Sequence, residues 1–207
     1  MVTAGVTSLE VAAFWGHEKL VSVDLTESLS KIEKCAFEGC TSLKSISMMH
    51  GIKSIGSCAF RNCTQLISLD IPDSVREIGY LAFENCISLQ SIHLPLNIKV
   101  IHQYTFQKCK SLRSINLHQL NLSEIRHHAF RGCTSLSSIQ FPTGLRGIEN
   151  DAFFACSSLT NLKIPPSVEH IGFYCFTGCP LVSLCLPTGV LKLRYANYFD
   201  IISIRFN

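Results

Sequence analysis

The sequence predicts a solenoid of about eight stacked units forming one domain over residues 1–207. Three observations predict it. A phenylalanine recurs at Phe14, Phe37, Phe60, Phe83, Phe106, Phe130, Phe153 and Phe176, in steps of 23 residues with one step of 24. The third residue after each is His17 and then Cys40, Cys63, Cys86, Cys109, Cys133, Cys156 and Cys179. Five residues before each phenylalanine stands Leu9 and then Ile32, Ile55, Ile78, Ile101, Ile125, Ile148 and Ile171. One such unit cannot bury its own apolar face. Stacked units bury a shared one, and equivalent residues then form columns along the axis.

The unit reads L-x-x-I-x-L-P-x-x-V-x-x-I-x-x-x-A-F-x-x-C-x-x. Its first segment alternates apolar and polar residues, as in Leu89-Gln90-Ser91-Ile92-His93-Leu94-Pro95. Such alternation marks a half-buried strand. The proline that follows, at Pro72, Pro95, Pro142, Pro165 and Pro187, has no N–H for pairing and turns the chain. A second short extended piece comes next, as in Val75-Arg76-Glu77-Ile78. The Ala82-Phe83-Glu84-Asn85-Cys86 stretch spaces its apolar sites by three, which suits one short helical or 3₁₀ turn.

The pattern weakens at both ends. His17 stands for the first cysteine and Thr26 for the first proline, and the register fades after Val190. Residues 1–8 are expected to be a lead-in, 9–190 the repeats and 191–207 a degenerate cap. Leu193 and Tyr198 fall near the isoleucine and phenylalanine registers. Ile202, Ile204 and Phe206 alternate with Ser203 and Arg205, so a closing strand is expected to cover the open end.

Ile78-Gly79-Tyr80-Leu81-Ala82-Phe83-Glu84-Asn85-Cys86-Ile87-Ser88-Leu89 and Leu136-Ser137-Ser138-Ile139-Gln140-Phe141-Pro142 resemble the BspA-like leucine-rich repeats. The resemblance covers about residues 9 to 190. It implies a leucine-rich-repeat solenoid: a curved right-handed coil with a parallel β-sheet on one face and short helical or 3₁₀ turns on the other. It also implies protein–protein contact or adhesion, since members are often surface proteins. It implies no chemistry.

Composition sets outer limits. The chain is 47% hydrophobic and 16% charged, which suits a packed domain. A net charge of +3 does not make the whole molecule a strong ligand for nucleic acid or membrane. No segment approaches the roughly 20 apolar residues of a membrane helix. Met1-Val2-Thr3-Ala4-Gly5-Val6 shows no signal peptide, so a cytoplasmic setting is expected, although the family it resembles is often cell-surface.

Seven of the 11 cysteines share one repeat position. A slot three residues past a core phenylalanine wants a small apolar side chain, and free cysteine fills it well. Stacked thiols run in a row and do not converge as tetrahedral zinc requires, so no metal and no cofactor are expected. Cys35 and Cys58 form a second neighbouring pair, for which a disulfide stays open.

Two polar columns flank the buried strand position. One is Ser45, Ser68, Ser91, Ser114, Ser138 and Asn161. Two residues on come Asp70, His93, Asn116, Gln140 and Lys163. Alternation points both away from the core. They are the candidate binding face, with the variable column carrying selectivity. The uniform serine column reads equally as a solvated strand surface. Asp70 and His93 fall on adjacent rungs but lack a nucleophile with a partner, so catalysis is not expected.

Charge is uneven. Residues 86–148 carry Lys99, Lys108, Lys110, Arg113, Arg126, Arg131 and Arg146 against Glu124 alone. This basic stretch is a candidate site for an acidic protein or glycan, or else a mildly basic solvated edge. Nucleic acid is disfavoured, because Phe106 and Phe130 are core residues and offer no stacking platform. Asn62-Cys63-Thr64 and Asn121-Leu122-Ser123 match the glycosylation pattern. The expected function is a non-enzymatic, monomeric interaction or adhesion module. A structural scaffold segment of a longer surface-type repeat protein is the second reading.

Overall fold

The computed structural model describes residues 5–188, 192–193 and 203–206. Of the expected cap, Tyr198 and Ile202 lie outside the described residues. The chain is a solenoid of short coils carrying two ladders of parallel strands. The first ladder contains Ser22–Asp24, Ser45–Ser47, Ser68–Asp70, Ser91–His93, Ser114–Ile115, Asn161–Lys163 and Ser183–Leu186. Each three-residue strand among these reads exposed–buried–exposed, as the alternation requires. The second ladder holds two-residue strands such as Lys31–Ile32, Ser54–Ile55 and Glu77–Ile78. Register is strict: Ile32 faces Ile55, Ile55 faces Ile78, and Leu69 faces Ile92. The backbone of Ser203–Phe206 pairs in parallel with Ser183–Leu186.

The ladders are interrupted. The first breaks between Ser45–Ser47 and Ser68–Asp70, and no strand forms at Ser138–Gln140. The second breaks between Glu77–Ile78 and Val100–Ile101.

The Ala-Phe-x-x-Cys stretch differs from the expected helical turn. Within one coil, Ala36 N–H donates to Glu33 O, Glu38 N–H to Cys35 O and Cys40 N–H to Phe37 O, at 3.1–3.3 Å. The intervening donors turn outward to the next coil: Cys35 to Ser57 O, Phe37 to Ala59 O and Gly39 to Arg61 O, at 2.8–2.9 Å. A helix would aim every N–H along its own axis. Here every second one crosses to the neighbour, which requires left-handed backbone at two sites per turn. Cys35 (φ 58) and Gly39 (φ 75) supply it, as do Leu81 and Asn85 two coils on. A non-glycine residue there costs about 1–2 kcal/mol, offset by the cross-coil bonds. Among the described residues the one 3₁₀ helix is Leu117–Gln119. It lies between Ile115 and Ile125, where the 24-residue unit carries its extra residue.

The core is one stack. Phe14 through Phe176 lie ring over ring, with centroids 5.1–5.9 Å apart and planes within 16° of parallel. This is the offset arrangement that aromatic quadrupoles favour. The seven ladder thiols are buried, and each donates at 3.0–3.2 Å to the phenylalanine carbonyl of the preceding coil.

Candidate functional site

The exposed ends of the first-ladder strands form the candidate face. Asp70 stands directly opposite His93 across the pair Ser68–Asp70 and Ser91–His93. The next coil adds Ser114, Asn116 and His118. Asp70, Ser91, His93, Ser114, Asn116 and His118, with the strand positions of Ile92 and Ile115 between them, line an open depression of ≈ 360 Å³. Five of the eleven expected strand-face residues, Asp70, Ser91, His93, Ser114 and Asn116, therefore lie together. His118 is not one of the strand-face residues that alternation predicts; along the chain it belongs to the basic stretch. It follows Leu117 on the 3₁₀ turn, so strand alternation could not place it.

Asn116 is not a free surface group. It caps the 3₁₀ turn, and its amide is spent on Leu94: Nδ2 donates to the carbonyl at 3.0 Å and Oδ1 accepts the N–H at 2.9 Å. Ser45, Ser68 and Ser91 are exposed, as are Ser138, Gln140, Asn161 and Lys163. Gln140 sits outside any strand, and Asn161 Oδ1 accepts from the Ser183 hydroxyl at 3.4 Å.

The basic stretch divides in two. Arg126 bonds Glu149 at 2.7 Å and also pairs with Glu124. Arg131 bonds Asp151 at 2.9 Å and lies 4.2 Å over the Phe154 ring. A count along the chain stops at residue 148, but stacking sets Glu149 and Asp151 beside these arginines. Lys99, Lys108, Lys110, Arg113 and Arg146 are exposed and in no ion pair among the described residues. Lys99 shares a second depression, of ≈ 440 Å³, with Arg76, Glu77, Asn97 and His102.

One grouping lies outside the thiol column and joins Glu38 to the neighbouring pair Cys35 and Cys58. Cys35, Glu38 and Cys58 place their ligand atoms within 4.8 Å of one another. These cysteines belong to the left-handed turn position, not the core column. The signal in the sequence was Cys35-x-x-Glu38 with Cys58 one 23-residue unit on. Both cysteines are free of disulfides, and burial pushes the thiol of Cys35 up to about 12, with Glu38 adding to the rise. Of the glycosylation matches, Asn121 is exposed, whereas the Asn62 amide accepts from Asn85 at 2.9 Å beside buried Cys63. Among the described residues no helix is long and apolar enough to cross a membrane.

The profile of the BspA type leucine-rich repeat region matches residues 2–112 and 76–205, in six copies. Among solved structures, a leucine-rich repeat protein from Bacteroides ovatus ATCC 8483 superposes with TM-score 0.81 at 28% identity, over 97% of this chain and 59% of that one. This chain thus spans about three-fifths of its length. The T. pallidum leucine rich repeat protein gives TM-score 0.60 at 28% identity, over 86% and 72% of the two chains. A leucine rich cell surface protein from Faecalibacterium prausnitzii A2-165 shares the fold, with TM-score 0.56 at 21% identity over 99% and 85%. No curated protein sequence matches the chain.

Proposed function

Because the chain belongs to the BspA-type leucine-rich repeat family, we propose that it is a non-enzymatic interaction module whose strand face receives a protein or an acidic glycan. The observation that carries this reading is the depression around Asp70, His93 and His118. There the uniform serine column gains an anion and two imidazoles on a backbone bonded on both sides. A preformed surface of this kind loses little freedom when it binds. The reading gives these side chains recognition and not chemistry. Lys108, Lys110 and Arg113 steer an acidic partner. Adhesion and action as a monomer belong to the same proposal.

The uniform serine column favours a second reading, a structural scaffold without its own ligand. One comparison separates the two. The intact chain is set against Asp70→Ala/His93→Ala/His118→Ala and against Lys108→Ser/Lys110→Ser/Arg113→Ser. Each is presented to host-like and own-cell extracts and to an array of acidic glycans. A ligand held by the intact chain and lost from the strand-face variant is the expected result. A ligand held equally by all three overturns the proposed face. Nothing held by any of them supports the scaffold.

A further inference from the structure

We propose that Cys35, Glu38 and Cys58 form a binding site for one thiophilic divalent cation such as zinc, on the turn side of the solenoid. The two Sγ atoms and a carboxylate oxygen lie within 4.8 Å of one another. Tetrahedral zinc sets sulfur and oxygen ligands about 3.6–3.8 Å apart, so closure needs rotamer adjustment and no movement of the coils.

The backbone holds the ligands ready. Both cysteines occupy the residue two before a core phenylalanine, each at φ 58. Cys35 N–H is fixed to Ser57 O at 2.9 Å and Cys58 N–H to Tyr80 O at 3.0 Å. The turn that bonds Glu38 N–H to Cys35 O at 3.1 Å brings the carboxylate over the same spot. The equivalent residue in the other units is Ala12, Leu81, Tyr104, His128, Asp151 or Tyr174, so only this pair of coils presents two thiols.

Charge fits as well. Two thiolates and a carboxylate around a dication leave one negative charge, and Arg61 lies beside them. Its tighter bond is to Glu84 at 2.7 Å, while Glu38 Oε1 meets it at 3.3 Å. Glu38 meets Arg61 through Oε1, and its carboxylate also accepts from the Cys35 thiol, which sets the two candidate ligands against each other. Three protein ligands leave a fourth position open, as in sites that hold water or an outside group. Cys35 is half-buried, so that position can be reached from solvent.

The test uses the whole chain, reduced and kept free of oxygen, titrated with Co²⁺. One equivalent should produce a thiolate-to-cobalt charge-transfer absorption that Zn²⁺ displaces, with release of protons as the thiols ionise. Cys35→Ser and Cys58→Ser should each abolish it, and Cys185→Ser should leave it unchanged. Glu38→Gln leaves both thiols in place and decides the matter if a cysteine variant fails to fold. It should weaken cobalt binding by about tenfold or more, since even outer-shell changes reach that size. The proposal is overturned by an absorption that survives loss of both cysteines, by affinity unchanged in Glu38→Gln, or by a reduced chain that takes up no cobalt. A Cys35–Cys58 disulfide forming in place of a metal adduct overturns it too.

Discussion

Asn116 bonds to both backbone groups of Leu94, using its side-chain amide as a substitute peptide at 2.9 and 3.0 Å. The extra residue of the 24-residue unit pulls the chain out of strand geometry at this point. The side chain supplies the pairing that the backbone no longer makes. Asn116→Ala leaves a carbonyl and an N–H without partners and should cost about 1–3 kcal/mol, read from the urea midpoint. Asn116→Asp keeps the acceptor but sets a second carboxylate oxygen against the Leu94 carbonyl. It should be worse than Ala near neutral pH and improve as the carboxylate is protonated.

The column thiols are closed to chemistry while the protein is folded. Burial raises Cys86 to about 12 and Cys40 to about 11, and reaction requires both thiolate and access. A thiol reagent at pH 8, with sites read by mass spectrometry, should leave Cys63, Cys86, Cys109, Cys133 and Cys156 unlabelled until denaturant is added. Rapid labelling of Cys109 in the folded chain would contradict the packing.

His128 gives the fold a pH dependence. It stacks on Tyr104 at 4.8 Å, and its buried Nδ1 has no hydrogen-bond partner. Burial lowers its pKa below the ordinary 6.5; Arg131 and His127 add to the fall and Asp151 opposes it. The unfolded chain therefore takes the proton more readily. Stability should drop as pH falls through 6.5 towards the lower folded value, and level off beneath it. His128→Phe keeps the stack and should flatten that part of the curve relative to the unaltered chain.

Gly56 marks a place where two coils touch backbone to backbone. A Cβ there would sit 2.6 Å from the Glu33 carbonyl carbon and 2.6 Å from Lys34 N, both of them backbone. Gly56→Ala must push two coils apart and should destabilise by about 1–3 kcal/mol. At Gly144 the nearest atom is 4.0 Å away, and alanine there should be neutral or slightly stabilising. Equal effects at the two sites would refute the close-approach account.

The columns were legible because a period fixes them. Phe83, Cys86 and Ile78 recur in register, and stacking them is the only way to bury them. The turn backbone was not legible. Nothing about Leu81 or Cys35 favours a left-handed conformation; bonds to the neighbouring coil impose it. Asn116 reads as a surface residue until its unit's extra residue is seen to leave Leu94 unpaired. The neighbouring of Cys35 and Cys58 was legible because both hold one repeat position, whereas the pairing of Arg126 with Glu149 joins different positions of adjacent units. A reading along the chain separates what stacking joins.

Since among the described residues each coil is bonded only to the one on either side, the first and last of these coils have no direct hold on each other. Tension applied between them would be borne by one interface at a time. Each 23-residue coil that peels away would release about 75–80 Å of slack chain. The molecule would lengthen in a series of similar steps and absorb work at each one, behaving as an extensible tether rather than a rigid strut.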